Sequence, residues 1–281
     1  IRQSVAMQKA DKYNCTYYTD YKEMLDSGLI DSCLVAVPHY DHPKYAIECF
    51  KRHIHVMVEK PAGVYTMQVK EMNEAGKLGK VFSCESRIHG SRGVPGDWRG
   101  KPEHGGGMVY DWGIHLLDQA LMMTLPRKLK TVYAELTNVT NENCDDGFRT
   151  TLIFDDGLSF YVEVTTSNFI ELPLWYVLGE NGTAVVDDWK GNGKIVKVSD
   201  WENRDAVPIV AGAGITKTMA PRTDDTIETY PLVIEKAEWI EYYKNIFAYL
   251  NGKEDIIVTH NQQRRLMRLV EAIFESGKTN K

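Results

Sequence analysis

The run Gly105-Gly106-Gly107-Met108-Val109-Tyr110-Asp111-Trp112-Gly113-Ile114-His115 holds the residue types most suited to chemistry, because it sets Asp111 and His115 four positions apart behind a glycine-permitted turn. On a helix that spacing puts both side chains on one face. A carboxylate one turn from an imidazole holds the ring's orientation and raises its basicity, as a histidine that transfers protons at neutral pH requires. Taken alone, the same pair is also what a structural hydrogen bond on an amphipathic helix looks like. The three glycines allow backbone to approach a ligand closely.

Upstream, the apolar run Ile54-His55-Val56-Met57-Val58 ends in Glu59-Lys60-Pro61. A buried strand stopped there presents Lys60 at its carboxyl end, the edge at which open parallel sheets bind ligands. The plain alternative is a solvated strand end. These two stretches, in this order, resemble the Gfo/Idh/MocA family of nicotinamide-dependent sugar and inositol oxidoreductases, whose members carry a Glu-Lys-Pro signature and a later Asp-x-x-x-His. The resemblance covers nearly the whole chain. It implies an α/β Rossmann-like parallel-sheet domain followed by an α+β domain with a large, mainly antiparallel sheet. It also implies NAD or NADP as cofactor, a carbohydrate or polyol substrate, and a homodimer or homotetramer.

By the same resemblance, His115 accepts the hydroxyl proton of a secondary alcohol while a hydride leaves the same carbon for the nicotinamide. Lys60 hydrogen-bonds the reacting oxygen and stabilises developing alkoxide. Asp111 orients His115 and accepts a hydrogen bond from a neighbouring sugar hydroxyl. Pro38, His39 and His42, in the loop after a parallel strand, line the nicotinamide site with Lys60, and Glu59 contacts the nicotinamide ribose. In Asp97-Trp98-Arg99 an aromatic face and a guanidinium fork make Trp98 and Arg99 candidates for substrate binding, against a packed loop with a cation over a ring. Arg222, in the polar loop 214–222, is a candidate to reach substrate, against a plain surface loop. His53 and His55 are expected to be structural, and Trp175, Trp189 and Trp201 to fill the sheet core or an interface. No metal ligand is assigned.

The elements that position these residues are legible as patterns. Asp20-Tyr21-Lys22-Glu23 has a capping-box shape, and Gly28 closes the helix it opens. Cys33 to Val37 is a buried strand stopped by Pro38; Pro43 to Arg52 is a helix; Ile54 to Val58 is the next strand, which together predict a parallel βαβ unit. Val5 to Tyr13 reads as the helix after the family's second strand. After residue 80 strands are joined by tight turns: Phe148 to Phe154 and Leu158 to Val164 flank Asp155-Asp156-Gly157, and Asn181-Gly182 marks a turn between Leu174–Leu178 and Thr183–Val186. Two helices follow, from Glu235 to Leu250 and from Asn261 to Ser276, the second ended by Gly277. We divide the chain into a partial Rossmann-like dinucleotide-binding domain (1–75), a substrate-binding and oligomerisation domain (76–260), and a C-terminal helix (261–281) that packs back on the first domain.

Composition narrows the alternatives. A net charge of −6 over 281 residues, with no local Lys/Arg cluster, gives no basic field for nucleic acid. No apolar run approaches the roughly 20 residues that span a bilayer. Five scattered cysteines, without a CxxC pair, fit a reducing cytoplasm. Two features depart from the family pattern. Nothing matches the glycine-rich GxGxxG turn, and Asn73-Glu74-Ala75 runs directly into Gly76, where the family places another strand and helix. Either those segments exist in a parent protein, or cofactor binding has been lost by truncation. Two other function classes stay open: a metal-dependent sugar hydrolase or isomerase, because Asp111 and His115 with His39, His42 or His104 could make a carboxylate and imidazole site, and, from the absent glycine loop, a non-catalytic nucleotide-sensing or scaffold protein. Neither accounts for Glu59-Lys60-Pro61.

Overall fold

A computed structural model describes residues 3–37, 41–58, 78–203, 208–217, 219–232 and 239–279. Helices α1 (Gln3–Tyr13) and α2 (Tyr21–Asp26) precede β1 (Ser32–Val35), α3 (His42–Phe50) and β2 (His55–Val58). Asp20 caps α2, its Oδ1 accepting the Lys22 N–H at 2.7 Å, and Gly28 turns the chain away at φ 70°. After α3 the chain reverses through His53, a non-glycine residue at φ 57°, and enters β2. The two strands pair in parallel, with Ser32 opposite His55 and Val35 opposite Val58, so both end at the same edge. Leu25, Cys49 and Ile54 form a small separate core with Tyr21, Met24, Ile30, Cys33 and Val56 packed on it. The predicted βαβ unit is present.

The second part is built on one eight-stranded sheet. Its strands are β3 (Val81–His89), β4 (Leu129–Thr137), β5 (Gly147–Phe154), β6 (Ser159–Thr165), β7 (Trp175–Gly179), β8 (Gly182–Val186), β9 (Gly193–Val198) and, after a small hairpin of β10 (Ile209–Ala211) and β11 (Gly214–Thr216), β12 (Ile227–Pro231). The order is β12-β9-β8-β7-β3-β6-β5-β4. Every neighbouring pair is antiparallel except β3 with β6, so the sheet is mixed. Alternation decides its faces: Phe148, Thr150, Leu152 and Phe154 are buried along β5, and Phe160, Val162 and Val164 along β6. They pack against Leu117 and Ala120 of α4 (Ile114–Met123) and Leu269, Val270 and Ile273 of α6 (His260–Thr279). The opposite face carries charge, with Arg149 Nε 2.9 Å from Glu163 Oε1 and Arg87 Nε 3.5 Å from Glu163 Oε2.

Several expectations are corrected here. Among the described residues the last helix packs along β4 and α4: Arg265 donates to the Leu121 and Arg127 carbonyls at 3.2 and 3.4 Å. Gly277 does not end it but lies inside it, where a Cβ would sit 2.7 Å from Leu136 Cγ, so this glycine serves close packing. Helix α5 (Trp239–Leu250) begins, among the described residues, at Trp239. The stretch read as loop 214–222 starts with β11, because Gly212 at φ 61° makes a tight turn between β10 and β11. The turn after β7 is centred on Glu180 and Asn181, with Gly179 and Gly182 paired across it. Of the three tryptophans expected to fill the sheet core or an interface, Trp175 is in the core, while Trp189 and Trp201 lie on the surface of the chain, which leaves them the interface alternative.

Strand β4 is a sheet edge, and edges leave backbone groups without strand partners. Here α6 covers it: the Ser276 hydroxyl, buried, accepts the Ala134 N–H at 2.9 Å. Replacing Ser276 by Ala strands that buried donor, and we expect urea unfolding to show a loss of about 1–3 kcal/mol without a change of m-value.

Candidate active site

The turn before Asp111 is shaped by what its glycines allow. Gly105 and Gly107 adopt φ 73° and 106°, a region that side chains avoid. Gly106 lies so close to the segment 99–101 that a Cβ would come within 2.4 Å of the Arg99 carbonyl oxygen. The docking is held by hydrogen bonds from Gly106 N–H to the Lys101 carbonyl (3.0 Å) and from Gly107 N–H to the Arg99 carbonyl (2.8 Å). Gly106 therefore serves an approach of backbone to backbone, and Gly107 makes room for the Asp145 carboxylate. The consequence is that Arg99 meets Asp111.

Arg99 Nε donates to Asp111 Oδ2 at 3.1 Å, and Arg99 Nη1 to Asp97 Oδ2 at 2.7 Å. Asp97 also caps the short turn Trp98–Gly100, accepting the Arg99 N–H at 2.9 Å. The guanidinium carbon lies 4.6 Å from the centre of the Trp98 ring. The packed-loop arrangement and the charged fork thus occur together. Asp111 and His115 do not share one α-helix: Val109–Gly113 is a π-helical turn, and His115 lies in the first turn of α4 behind it. Gly113 lies in this turn, where a Cβ would be 2.5 Å from the Phe148 ring. Insertions of π geometry of this kind are frequent at functional sites. The Trp112 ring stands edge-on to His115 with centroids 5.9 Å apart, and Trp189 reaches Trp112 from the β8–β9 connection at 5.9 Å.

Residues 1–85 match the model of the oxidoreductase family with NAD-binding Rossmann fold, and residues 66–185 that of the Gfo/Idh/MocA C-terminal domain. The crystal structure of an NAD-binding protein from Listeria innocua is 34% identical and superposes with a TM-score of 0.93, covering 100% of this chain and 89% of its own. The chain belongs to the Gfo/Idh/MocA oxidoreductase family. Other relatives include the uncharacterized oxidoreductase YdgJ of Escherichia coli, 26% identical over 321 aligned positions that cover 96% of this chain and 85% of that protein. That alignment is longer than the chain's 281 residues, so YdgJ carries residues with no counterpart within it. D-glucoside 3-dehydrogenase of E. coli is 31% identical over 169 positions, 47% of each chain.

In this Gfo/Idh/MocA protein, then, Trp98 and Arg99 lie on one turn, Asp111 on the π turn that Arg99 meets, and His115 on the helix that follows it. The described contacts of Arg222 lie elsewhere, with the Asp200 and Asn203 carbonyls at 2.9 and 3.2 Å and over the Trp201 ring at 4.9 Å. Pro38, His39, Glu59 and Lys60 lie outside the described residues, as does the His42 side chain. Among the described residues, no three His, Cys, Asp or Glu side chains group so as to hold a metal ion, and no helix is long and apolar enough to cross a membrane.

One supporting residue was not anticipated. Asp145, buried, accepts the Val109 N–H at 2.8 Å with Oδ2, and its backbone carbonyl accepts the Met108 N–H at 3.0 Å. It thereby satisfies donors at the start of the helical run that carries Asp111 and His115. The room comes from Gly107, whose Cβ would lie 2.1 Å from Asp145 Oδ1. Only its position just ahead of a strand, after Cys144, could have hinted at this. Burial raises its pKa from 3.8 to about 6, against the pull of the Val109 and Met108 amides. An acid whose folded pKa lies above its unfolded one binds its proton more tightly when folded, so its contribution to stability falls as pH rises from about 4 to about 6. Asp145→Asn keeps an acceptor for Val109 but no charge. We expect its stability relative to wild type to improve by about 2–3 kcal/mol between pH 4 and pH 7 in urea titrations; a difference flat with pH would contradict a buried, titrating Asp145.

Proposed function

We propose that the protein transfers a hydride between NAD or NADP and a secondary alcohol or ketone of a sugar, glycoside or cyclitol. The observation that supports this is the ion pair of Arg99 with Asp111 on the turn that leads into the helix carrying His115: a cation, a carboxylate and an imidazole on neighbouring segments suit binding and deprotonating a polyhydroxylated ligand. The likeness to D-glucoside 3-dehydrogenase supports a carbohydrate substrate. The metal-site and scaffold alternatives have no comparable support.

The first unit fits the cofactor in one respect that matters: β1 and β2 are parallel and end at a common edge, the edge at which such sheets hold dinucleotides. Pro38, His39 and His42 follow the first strand in sequence, and Glu59 and Lys60 the second; these would contact the nicotinamide half. When bound, a nicotinamide supplies the hydride acceptor or donor. The chain's own work is the rest. A ring nitrogen of His115 takes the hydroxyl proton, Lys60 donates to the reacting oxygen and offsets its developing charge, and Asp111, oriented by Arg99, accepts from an adjacent hydroxyl. Trp98 lends an apolar face. We place the reaction in the cytoplasm and in a homodimer or homotetramer, on the scattered unpaired cysteines and the family resemblance.

Tryptophan fluorescence titrated with NADH and NADPH tests the reading without a known substrate. Saturable binding of either is expected, and binding of neither would remove the dehydrogenase reading. Lys60→Met and His115→Ala should each lower kcat by about a hundredfold or more while leaving NADH affinity nearly unchanged; equal loss of both properties would make the residue a folding or binding group only.

A further inference from the structure

Beside His115, two indoles remain in water. Trp112 is 42% exposed and Trp189 54% exposed, although each contacts the other, whereas Trp175 in the sheet core is 3% exposed. Exposed aromatic surface against a polar side chain, here Trp112 against His115, suits a ligand site more than an unfinished core.

The segment presenting Trp189 is closed on itself. Asp187 N–H donates to the Asn192 carbonyl at 2.7 Å. Asp188 Oδ1 accepts the Lys190 and Asn192 N–H groups at 2.9 and 3.1 Å, and Asp188 Oδ2 the Asn192 side-chain amide at 2.6 Å. Gly191 completes the turn at φ 79°. A turn with this many internal bonds fixes the backbone under Trp189 against Trp112, so the aromatic surface is set before any ligand arrives.

The geometry points to a glycoside subsite in which Trp112 and Trp189 pack the apolar face of the substrate ring and its aglycone, while Asp111 and His115 address hydroxyls on the rim. This rests on the proposed dehydrogenase reading and narrows it. A pyranose has a C–H face that an indole covers and a hydroxyl rim that a carboxylate reads; an acyclic polyol presents no such face. Two indoles offer more apolar surface than one sugar ring fills, which selects a sugar carrying an apolar or cyclic aglycone.

Isothermal titration of the NADH-loaded protein with 4-nitrophenyl β-D-glucopyranoside, methyl β-D-glucopyranoside and sorbitol tests this. The wild type should bind the aryl glycoside about tenfold or more tighter than sorbitol. Trp189→Ala should weaken the aryl glycoside about tenfold and the methyl glucoside less than about threefold, with Trp189→Phe recovering most of the loss. Unchanged NADH affinity in both variants reports an intact fold. No preference for the aryl glycoside in the wild type, or equal loss for both glycosides in Trp189→Ala, overturns the subsite. So does an oligomer that Trp189→Ala dissociates in sedimentation with glycoside affinity unchanged, since Trp189 would then face a second copy. If the protein takes no NADH, the same titrations without it separate the two ideas: Trp189-dependent glycoside affinity keeps the subsite while the dehydrogenase reading falls.

Discussion

The site depends on one approach of backbone to backbone. Gly106 lies against the Arg99–Lys101 segment where even a methyl group would meet a carbonyl oxygen at 2.4 Å. Because the chain closes there, the Arg99 carbonyl is tied to Gly107 N–H and the Arg99 side chain is delivered to Asp97 and Asp111. The fork is held at both oxygens it reaches, so little rotamer freedom remains to be lost when a ligand binds. An alanine at 106 would have to move backbone, not the tip of a flexible side chain, and Arg99 would move with it.

Adjacent carboxylates at the mouth of β5 anchor this turn in opposite ways. Asp145 points to the Val109 amide and is held above the ordinary carboxylate range by burial. Asp146 points the other way, accepting from the Thr137 and Thr140 hydroxyls at 3.0 and 2.9 Å. Burial works to raise its pKa too, but the donors from Thr140 and Thr137 outweigh it and the net shift is downward. One carboxylate thus braces the loop 137–140 as a settled anion. Its neighbour braces the site turn at the cost of a buried charge.

The parallel pair β1 and β2, the two hairpins β5–β6 and β7–β8 and the terminal helices are legible in the sequence because alternation, capping and turn residues are local signals, whereas β3, β4, β9 and β12 were not read. Phe148 to Phe154 shows its period of two directly, and Asp155-Asp156-Gly157 shows its turn. Strand β4 was not read, because an edge strand half covered by α6 buries no regular alternation: in Leu129–Thr137 only Ala134 is buried. The role of Gly277 was misread because a glycine near a helix end looks like a stop, and only the position of Leu136 shows otherwise. The link from Arg99 to Asp111, and the service of Asp145 across 36 residues, are tertiary facts. No spacing rule reaches them. The contact of Trp189 with Trp112 is a fact of the same kind: the two are 77 positions apart, and an isolated tryptophan between polar residues carries no period.

Charge bookkeeping connects the geometry to the kind of ligand it suits. Asp97 and Asp111 against Arg99 leave one formal negative charge within a half-buried cluster, where screening is weaker than in bulk water. The same excess charge favours a cation at the reacting oxygen, which is the place the proposed reaction gives to Lys60. The Arg99 fork, held between two carboxylates, is thereby kept from pairing freely with a ligand anion, and the carboxylate oxygens it leaves unbonded stay open to hydroxyl donors.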